Sequence, residues 1–248
     1  MDKQSAPLLQ IINLGHSYPH GGQEEQVFRD LQGEVCPGEL VCLIGRSGCG
    51  KSTLLKIIAG FVHPTSGRCL LDGHPITRPG PDRGVVFQED ALFPWLTVRE
   101  NITFGLKGNG QLEKSVAELL QQVGLQDHGD HLPRALSGGM KQRVALARVL
   151  IRSPRILLMD EPFGALDAQT REEMQELLVR LMQACRQTVI FVTHDIQEAL
   201  ILADRVWLMD RAGGAIAHEL TVPLPRPRDP SLPAFQECYR QLHRWLRQ

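Results

Sequence analysis

The segment from Gly45 to Thr53, GRSGCGKST, sets glycines at 45, 48 and 50 immediately before Lys51, Ser52 and Thr53. Glycines at this spacing let backbone N–H groups curl around phosphate oxygens, and a helix starting near Lys51 adds its positive end. The Lys51 ammonium then reaches the β and γ phosphates, and Ser52 ligates Mg²⁺. The pattern GxxxxGK[ST] carries weight here because GELVCLIG, just before it, reads as a buried strand and the residues from Lys51 onward read as a helix. Further along, RILLMDEP runs four apolar residues into Asp160, placing that carboxylate at a strand end, where ligands of open α/β sheets collect. Asp160 is expected to hold Mg²⁺ through its water shell, and Glu161 to orient or deprotonate a water attacking the γ phosphate. The chemistry so specified is hydrolysis of a nucleoside triphosphate.

A second segment, LSGGMKQR at 136–143, also has the look of an anion site. Ser137 is a plausible N-cap, and the free N-terminus of the helix it opens would attract phosphate. Met140, Val144, Ala147 and Ile151 are expected on the buried side of that helix, which should end before Pro154. A capped helix with a glycine pair is equally at home as plain structure, so this segment by itself leaves both readings open.

These residues need a scaffold of strands and helices. LLQIINL and GRCLLDG read as strands near the N-terminus, and RILLMD and TVIFVT as buried strands later on. KSVAELLQQVGL puts Val116, Leu119, Leu120 and Val123 on one helical face; Met174, Leu177, Leu178, Leu181 and Met182 form another stripe. Strands alternating with helices imply a parallel sheet, and the texture from Leu96 to Ser153 is that of a helical insert. The tail from Val222 is Pro-rich and basic. It leads into an amphipathic helix with Phe235, Cys238, Tyr239, Leu242 and Trp245 or Leu246 on one side.

With 248 residues the chain suits one large domain with decorations. Its 27 basic and 28 acidic side chains leave a formal net charge of -1, which argues against a dedicated nucleic-acid binder. Six cysteines (Cys36, Cys42, Cys49, Cys69, Cys185, Cys238) show neither a CxxC pair nor zinc spacing, so a reducing compartment and no metal cage are expected. MDKQSAPLLQ lacks the apolar core of a signal peptide, and no apolar run approaches the roughly 18 residues of a membrane span. There is no internal repeat.

Gln88, Ser137 to Gly139, Asp160, Glu161, Asp167 and His194 occur in an order that resembles the nucleotide-binding subunit of an ATP-binding cassette (ABC) transporter, over residues 8 to about 220. The resemblance implies an α/β fold: a P-loop (RecA-like) core sheet with an N-terminal antiparallel β subdomain and an inserted α-helical subdomain. It puts the ATPase domain at 1–221, with the insert at about 89–153 and a short tail at 222–248. It makes ATP and Mg²⁺ the cofactors and Gly45, Ser47, Gly48, Cys49, Gly50, Lys51, Ser52 and Thr53 the loop that binds them. It also makes LSGGM the family signature, in which Ser137, Gly138 and Gly139 serve the ATP held by a second, facing subunit. Tyr18 sits where an aromatic residue usually stacks on adenine, although a core or surface Tyr is the other reading. Gln88 resembles the residue that contacts Mg²⁺ and the attacking water, His194 the switch histidine on the γ phosphate, and Asp167 the residue through which the two sites sense each other. Arg46 and Met140 depart from the usual Pro and Gln. His128 and His131 read as loop residues only.

PGPDRGVVFQEDALFPWLTVRENITFGL and DEPFGALDAQTRE resemble importer subunits for nitrate, sulfonate, taurine, bicarbonate or related solutes. This implies transmembrane permease partners, an indirect extracytoplasmic solute-binding protein, and a peripheral place on the cytoplasmic face of the inner membrane. Leu92, Phe93, Pro94 and Trp95 would then line the cleft that receives a helix of the membrane subunit, the alternative being that they only pack the insert. A soluble ABC ATPase acting on nucleic acid or ribosomes is the rival. It usually carries a long coiled coil between the two motifs, whereas Gln88 and Ser137 are only 49 positions apart. No nucleic-acid partner is expected.

Overall fold

The computed structural model describes residues 6–21, 23–88, 91–107, 110–210 and 214–247. Residues 89 and 90, at the start of the expected insert, and the extreme ends of the expected domain and tail lie outside these ranges. In chain order the elements are β1 (Leu9–His20), β2 (Gln23–Val35), β3 (Leu40–Gly45), α1 (Lys51–Ala59), β4 (Ser66–Leu71), β5 (His74–Pro75), β6 (Arg83–Val86), α2 (Val98–Thr103) and α3 (Gly110–Gln122). They continue with α4 (Gly138–Leu150), β7 (Ile156–Asp160), α5 (Ala168–Cys185), β8 (Thr188–Val192), α6 (Ile196–Leu202), β9 (Arg205–Met209), β10 (Ile216–Thr221) and α7 (Pro233–Arg247). Two compact units divide the chain, Met1–Gly80 with Arg186–Gln248, and Pro81–Cys185.

In the first unit an antiparallel sheet runs in the order β2-β1-β4-β5. Strand β2 escapes a simple periodicity reading, because its buried residues Phe28, Leu31 and Val35 are spaced by three and four. Register shifts in the β1–β2 ladder between Ile11 and Leu14, Leu14 and His16, and His16 and Ser17 account for this: each bulge resets which side chains face inward. The unit's other sheet centres on β3, parallel to β8 on one side and β9 on the other, with β10 antiparallel to β9. Every residue of β3 and β8 is buried, as suits strands covered on both faces. Helix α1 packs on β3 and β8, and α6 on β3.

The tail is bound tightly within this unit. Arg226 donates through Nη1 to Asp204 Oδ1 at 2.7 Å and through Nη2 to the Leu202 carbonyl. Arg228 Nη1 donates to the Leu200 carbonyl at 2.7 Å and also to that of Ala203. The two guanidiniums therefore satisfy the carbonyls that the last turn of α6 leaves open and complement its negative end. Burial, followed by the Arg226 cation, lowers Arg228 to about 10, so it keeps its charge throughout the physiological range. Helix α7 then buries Phe235, Cys238 and Leu242, and Trp245 stacks on His218 of β10 with centroids 4.5 Å apart. Arg228→Ala strands several of these carbonyls and should cost about 2 kcal/mol of stability, read as a lower urea midpoint at unchanged m-value. An unchanged midpoint would show that the tail is a passive appendage.

In the second unit β6 and β7 form a parallel pair, α4 packs on β6 and α2, and α5 lies against α4. Helix α3 buries Val116, Leu119 and Leu120, and α5 buries Met174, Leu177, Leu178, Leu181 and Met182, as their periodicity requires. Helix α4 differs from its expected pattern. Met140 and Ile151 are only partly covered, while Gly139, Gln142, Val144, Ala145, Leu146 and Ala147 are buried. It is enclosed by β6, α2 and α5 at once, so its buried face is wider than a single stripe.

Candidate functional site

Strand β3 ends in Gly45, the first residue of the glycine loop. There φ is +156°, and an added Cβ would lie 2.7 Å from the Met209 carbonyl oxygen and 2.8 Å from Cys49 Sγ. At Gly50, with φ of +100°, a Cβ would come within 2.7 Å of Val27 Cγ1. Neither position admits a side chain, so the loop stays tight and its amides accessible. Gly50 is the N-cap of α1 and makes no side-chain cap bond, and the positive end of the helix that starts there attracts an anion. Lys51 is 8% exposed, and its Nζ donates to the carbonyls of Gly45 at 2.9 Å and Arg46 at 3.1 Å. The ammonium thus braces the loop from inside. Ser47 and Gly48 are exposed, Ser52 and Thr53 half-buried, and Cys49 buried. This arrangement fits a triphosphate.

Strand β8 lies beside β3 with Val192 opposite Leu43, so His194 leaves the same sheet edge as Gly45. His194 is exposed, and its neighbour Asp195 caps α6 by accepting from the Gln197 amide at 2.8 Å and the Glu198 amide at 3.3 Å. The clamp of Arg226 and Arg228 holds the other end of that helix. Tyr18 lies on β1, exposed, in edge contact with His16 at a centroid distance of 4.5 Å. His16 is buried, and its desolvation lowers its pKa.

The second unit presents another parallel pair in the same way. Val86 of β6 stands opposite Met159 of β7, so Gln88 and the Asp160–Glu161 pair emerge at one edge. Gln88 is exposed, with its amide nitrogen 3.7 Å from where a Cβ on Gly164 would lie. Glu161 has φ of +45°, a left-handed conformation uncommon for a residue with a side chain. Backbone strain of this kind concentrates at functional positions. The turn that holds it closes through the Gly164 amide on the Glu161 carbonyl at 3.1 Å. Asp167 caps α5 by accepting the Thr170 amide on Oδ1 at 2.9 Å and the Thr170 hydroxyl on Oδ2 at 2.8 Å. Those two bonds hold its carboxyl below the usual range. Ser137 caps α4 as expected, its hydroxyl accepting from the Met140 amide at 3.3 Å; Gly138 is exposed and Gly139 buried.

The segment after Gln88 carries an aromatic cluster. Phe93 packs on Phe104 at 4.3 Å and on Trp95 at 5.7 Å between centroids, and the Arg148 guanidinium lies over the Phe93 ring. Trp95 is 72% exposed. Asn101, fully buried, accepts from the Phe93 amide and donates to the carbonyls of Phe93, Leu96 and Thr97. The turn is therefore held in place from below while its indole faces outward. Sequence reasoning passed over Asn101 and Thr170. The TxxE capping box of α2, Thr97 with Glu100, was a legible local signal next to Asn101.

A family model described as ABC transporter matches residues 28–164. The nitrate import ATP-binding protein NrtD of Synechocystis is 46% identical over 221 residues, covering 88% of this chain and 83% of the relative. The taurine import ATP-binding protein TauB of Roseobacter denitrificans is 48% identical over 220 residues, with 87% and 82% covered. Among solved structures, the dimeric post-hydrolysis state of the ATP-binding cassette MJ0796, bound to ADP and Pi, superposes with a TM-score of 0.75 at 31% identity, covering 88% of this chain and all of that one. A glycine loop braced by its own lysine and a paired carboxylate at a parallel strand end, in a chain this similar to known cassettes, mark the protein as a member of the ABC transporter family, one of its ATP-hydrolysing subunits.

Proposed function

We propose that this chain is the energy-coupling ATPase of an importer for a small oxyanion-type solute such as nitrate, a sulfonate, taurine or bicarbonate. It would work on the cytoplasmic face of the membrane, paired with a second cassette and with permease subunits that receive an extracytoplasmic binding protein. Among the described residues no helix is long and apolar enough to cross a membrane, in keeping with a peripheral subunit. The observation that carries the coupling role is Trp95, a large aromatic left 72% exposed on a turn that Asn101 holds rigid. An ordered, outward-facing aromatic of this kind is suited to anchor a partner.

In the proposed mechanism the loop amides and Lys51 hold the phosphates, and Tyr18 stacks on the base. Ser52, Gln88 and Asp160 are the residues that would hold Mg²⁺, and the ion would supply charge neutralisation on the phosphate oxygens. Glu161 takes the proton of the attacking water, Gln88 orients that water, and His194 grips the γ phosphate. Ser137, Gly138 and Gly139 donate to the γ phosphate of the ATP on the facing cassette, and Asp167 relays between the two sites. Closure of the cassette pair would pass through the Gln88–Trp95 segment to the permease as a change of access.

Trp95→Ala should reduce solute uptake by roughly an order of magnitude or more while impairing basal hydrolysis by the purified chain far less. Equal losses in both assays would assign Trp95 to the cassette itself. Uptake of labelled nitrate, taurine and bicarbonate by cells with and without the gene tests the solute class. Unchanged uptake of all three, with lost export of another compound, would overturn the importer reading.

A further inference from the structure

Gly139 is buried in the first turn of α4, and its φ is not among the positive values of the chain's glycines. Any L-residue could adopt that backbone conformation, so conformational freedom does not explain a glycine there. Space does. A Cβ on Gly139 would overlap the Cγ2 methyl of Thr170, whereas at Gly138 the nearest atom would be Leu166 Cδ2 at 3.9 Å.

A methyl at the end of a mobile side chain could swing away, but this one is held. Thr170 Oγ1 donates to Asp167 Oδ2 at 2.8 Å, which selects its χ1 rotamer, and in a β-branched residue on a helix the methyl has no independent freedom. The Thr170 amide is tied to the same carboxylate at 2.9 Å. The loop before Asp167 is braced as well, since Arg171 donates to the carbonyls of Leu166 at 2.8 Å and Phe163 at 3.4 Å. One connected set of contacts therefore runs from Gly139 through Thr170, Asp167 and Arg171 to the Phe163 and Leu166 carbonyls, beside the turn that closes on the Glu161 carbonyl.

We propose that Thr170, rather than the nucleotide, is what requires glycine at 139, and that Thr170 is a positioning residue registering the start of α4 against the Asp167–Glu161 loop. Its functional consequence rests on the reading of Ser137–Gly139 as a phosphate-binding segment; the steric part does not. A displaced α4 start is then felt at Glu161 in the same chain, so the contact acts on turnover more than on affinity for the nucleotide in the glycine loop.

The test is a double-mutant cycle read in kcat, KM and melting temperature. Gly139→Ala alone should lower kcat at least about tenfold, with KM changed far less. Adding Thr170→Ser, which keeps the hydroxyl on Asp167 and removes only the methyl, should restore kcat to within about threefold of the Thr170→Ser single variant. Thr170→Val, which keeps the methyl and loses the hydroxyl, should give no rescue. If Gly139→Ala folds too poorly to assay, the same order should appear in melting temperature, with Ser rescuing the fold and Val failing. A Gly139→Ala/Thr170→Ser chain as impaired as Gly139→Ala, or a fully active Gly139→Ala chain, overturns the proposal. Recovery of melting temperature without recovery of kcat keeps the steric contact and overturns the positioning role. The phosphate-binding reading is checked separately by ATP-dependent dimerisation of the Glu161→Gln chain with native Gly139 and Thr170; its absence would count against that reading and the functional consequence built on it, and would leave the steric contact standing.

Discussion

Replacing Glu161 by Gln is expected to lower ATP turnover by at least about 10²-fold while leaving nucleotide binding in place. The amide matches the carboxylate in size and fits the same half-buried position at the end of β7, but it cannot accept the proton that the attacking water must lose. General-base removal typically costs about 10² to 10⁴ in rate, and no phosphate contact is assigned to this side chain. The substitution leaves the Gly164-to-Glu161 backbone bond untouched, so the turn should persist. Single-turnover hydrolysis, with nucleotide affinity measured in parallel, separates the effects. ATP should also hold the variant as a dimer in size-exclusion chromatography. Near-normal hydrolysis by the purified variant would remove Glu161 from the chemistry and leave its strained backbone as a purely structural feature.

Lys51→Ala should act at the opposite step. The buried ammonium is the cation at the heart of the glycine loop, and a charge-assisted contact to phosphate contributes about 2 to 3 kcal/mol, roughly 30- to 150-fold in Kd. The same ammonium closes the empty loop on the carbonyls of Gly45 and Arg46, so the variant should also melt at a lower temperature without nucleotide. Titration calorimetry with ATP in the Glu161→Gln background measures the affinity without turnover. Unchanged affinity would place the triphosphate elsewhere in the chain. A lower melting temperature alone would reduce Lys51 to a structural brace.

These two residues were legible because their signals are local. Gly45 to Thr53 is a contiguous run whose φ values, helix start and lysine are all set within nine positions, and Asp160 ends an apolar strand that announces itself. The stripes of α3 and α5 were legible for the same reason: each buries one face, and the 3.6-residue period maps directly onto that face. Strand β2 resisted because bulges shifted its register, and the face of α4 was misjudged because three neighbouring elements surround it.

What the sequence specified by itself was a set of local patterns: a glycine loop and its lysine opening a helix, an aspartate–glutamate pair at a strand end, and a capped second helix with two glycines. Tertiary structure decided why particular residues stand where they do. Arg228 looks like an ordinary tail cation until its guanidinium is found on the last carbonyls of α6, 28 positions earlier in the chain. Asn101 looks like a helix-surface amide until its four bonds to the Phe93–Thr97 turn are counted. Gly139 looks interchangeable with Gly138 until the methyl of Thr170 is found in the space a side chain at 139 would need. The physical reason is common to all three: a hydrogen-bond acceptor, a cap or an excluded volume supplied by a distant segment leaves no period or spacing in the chain, and becomes visible only when folding brings the two segments into contact.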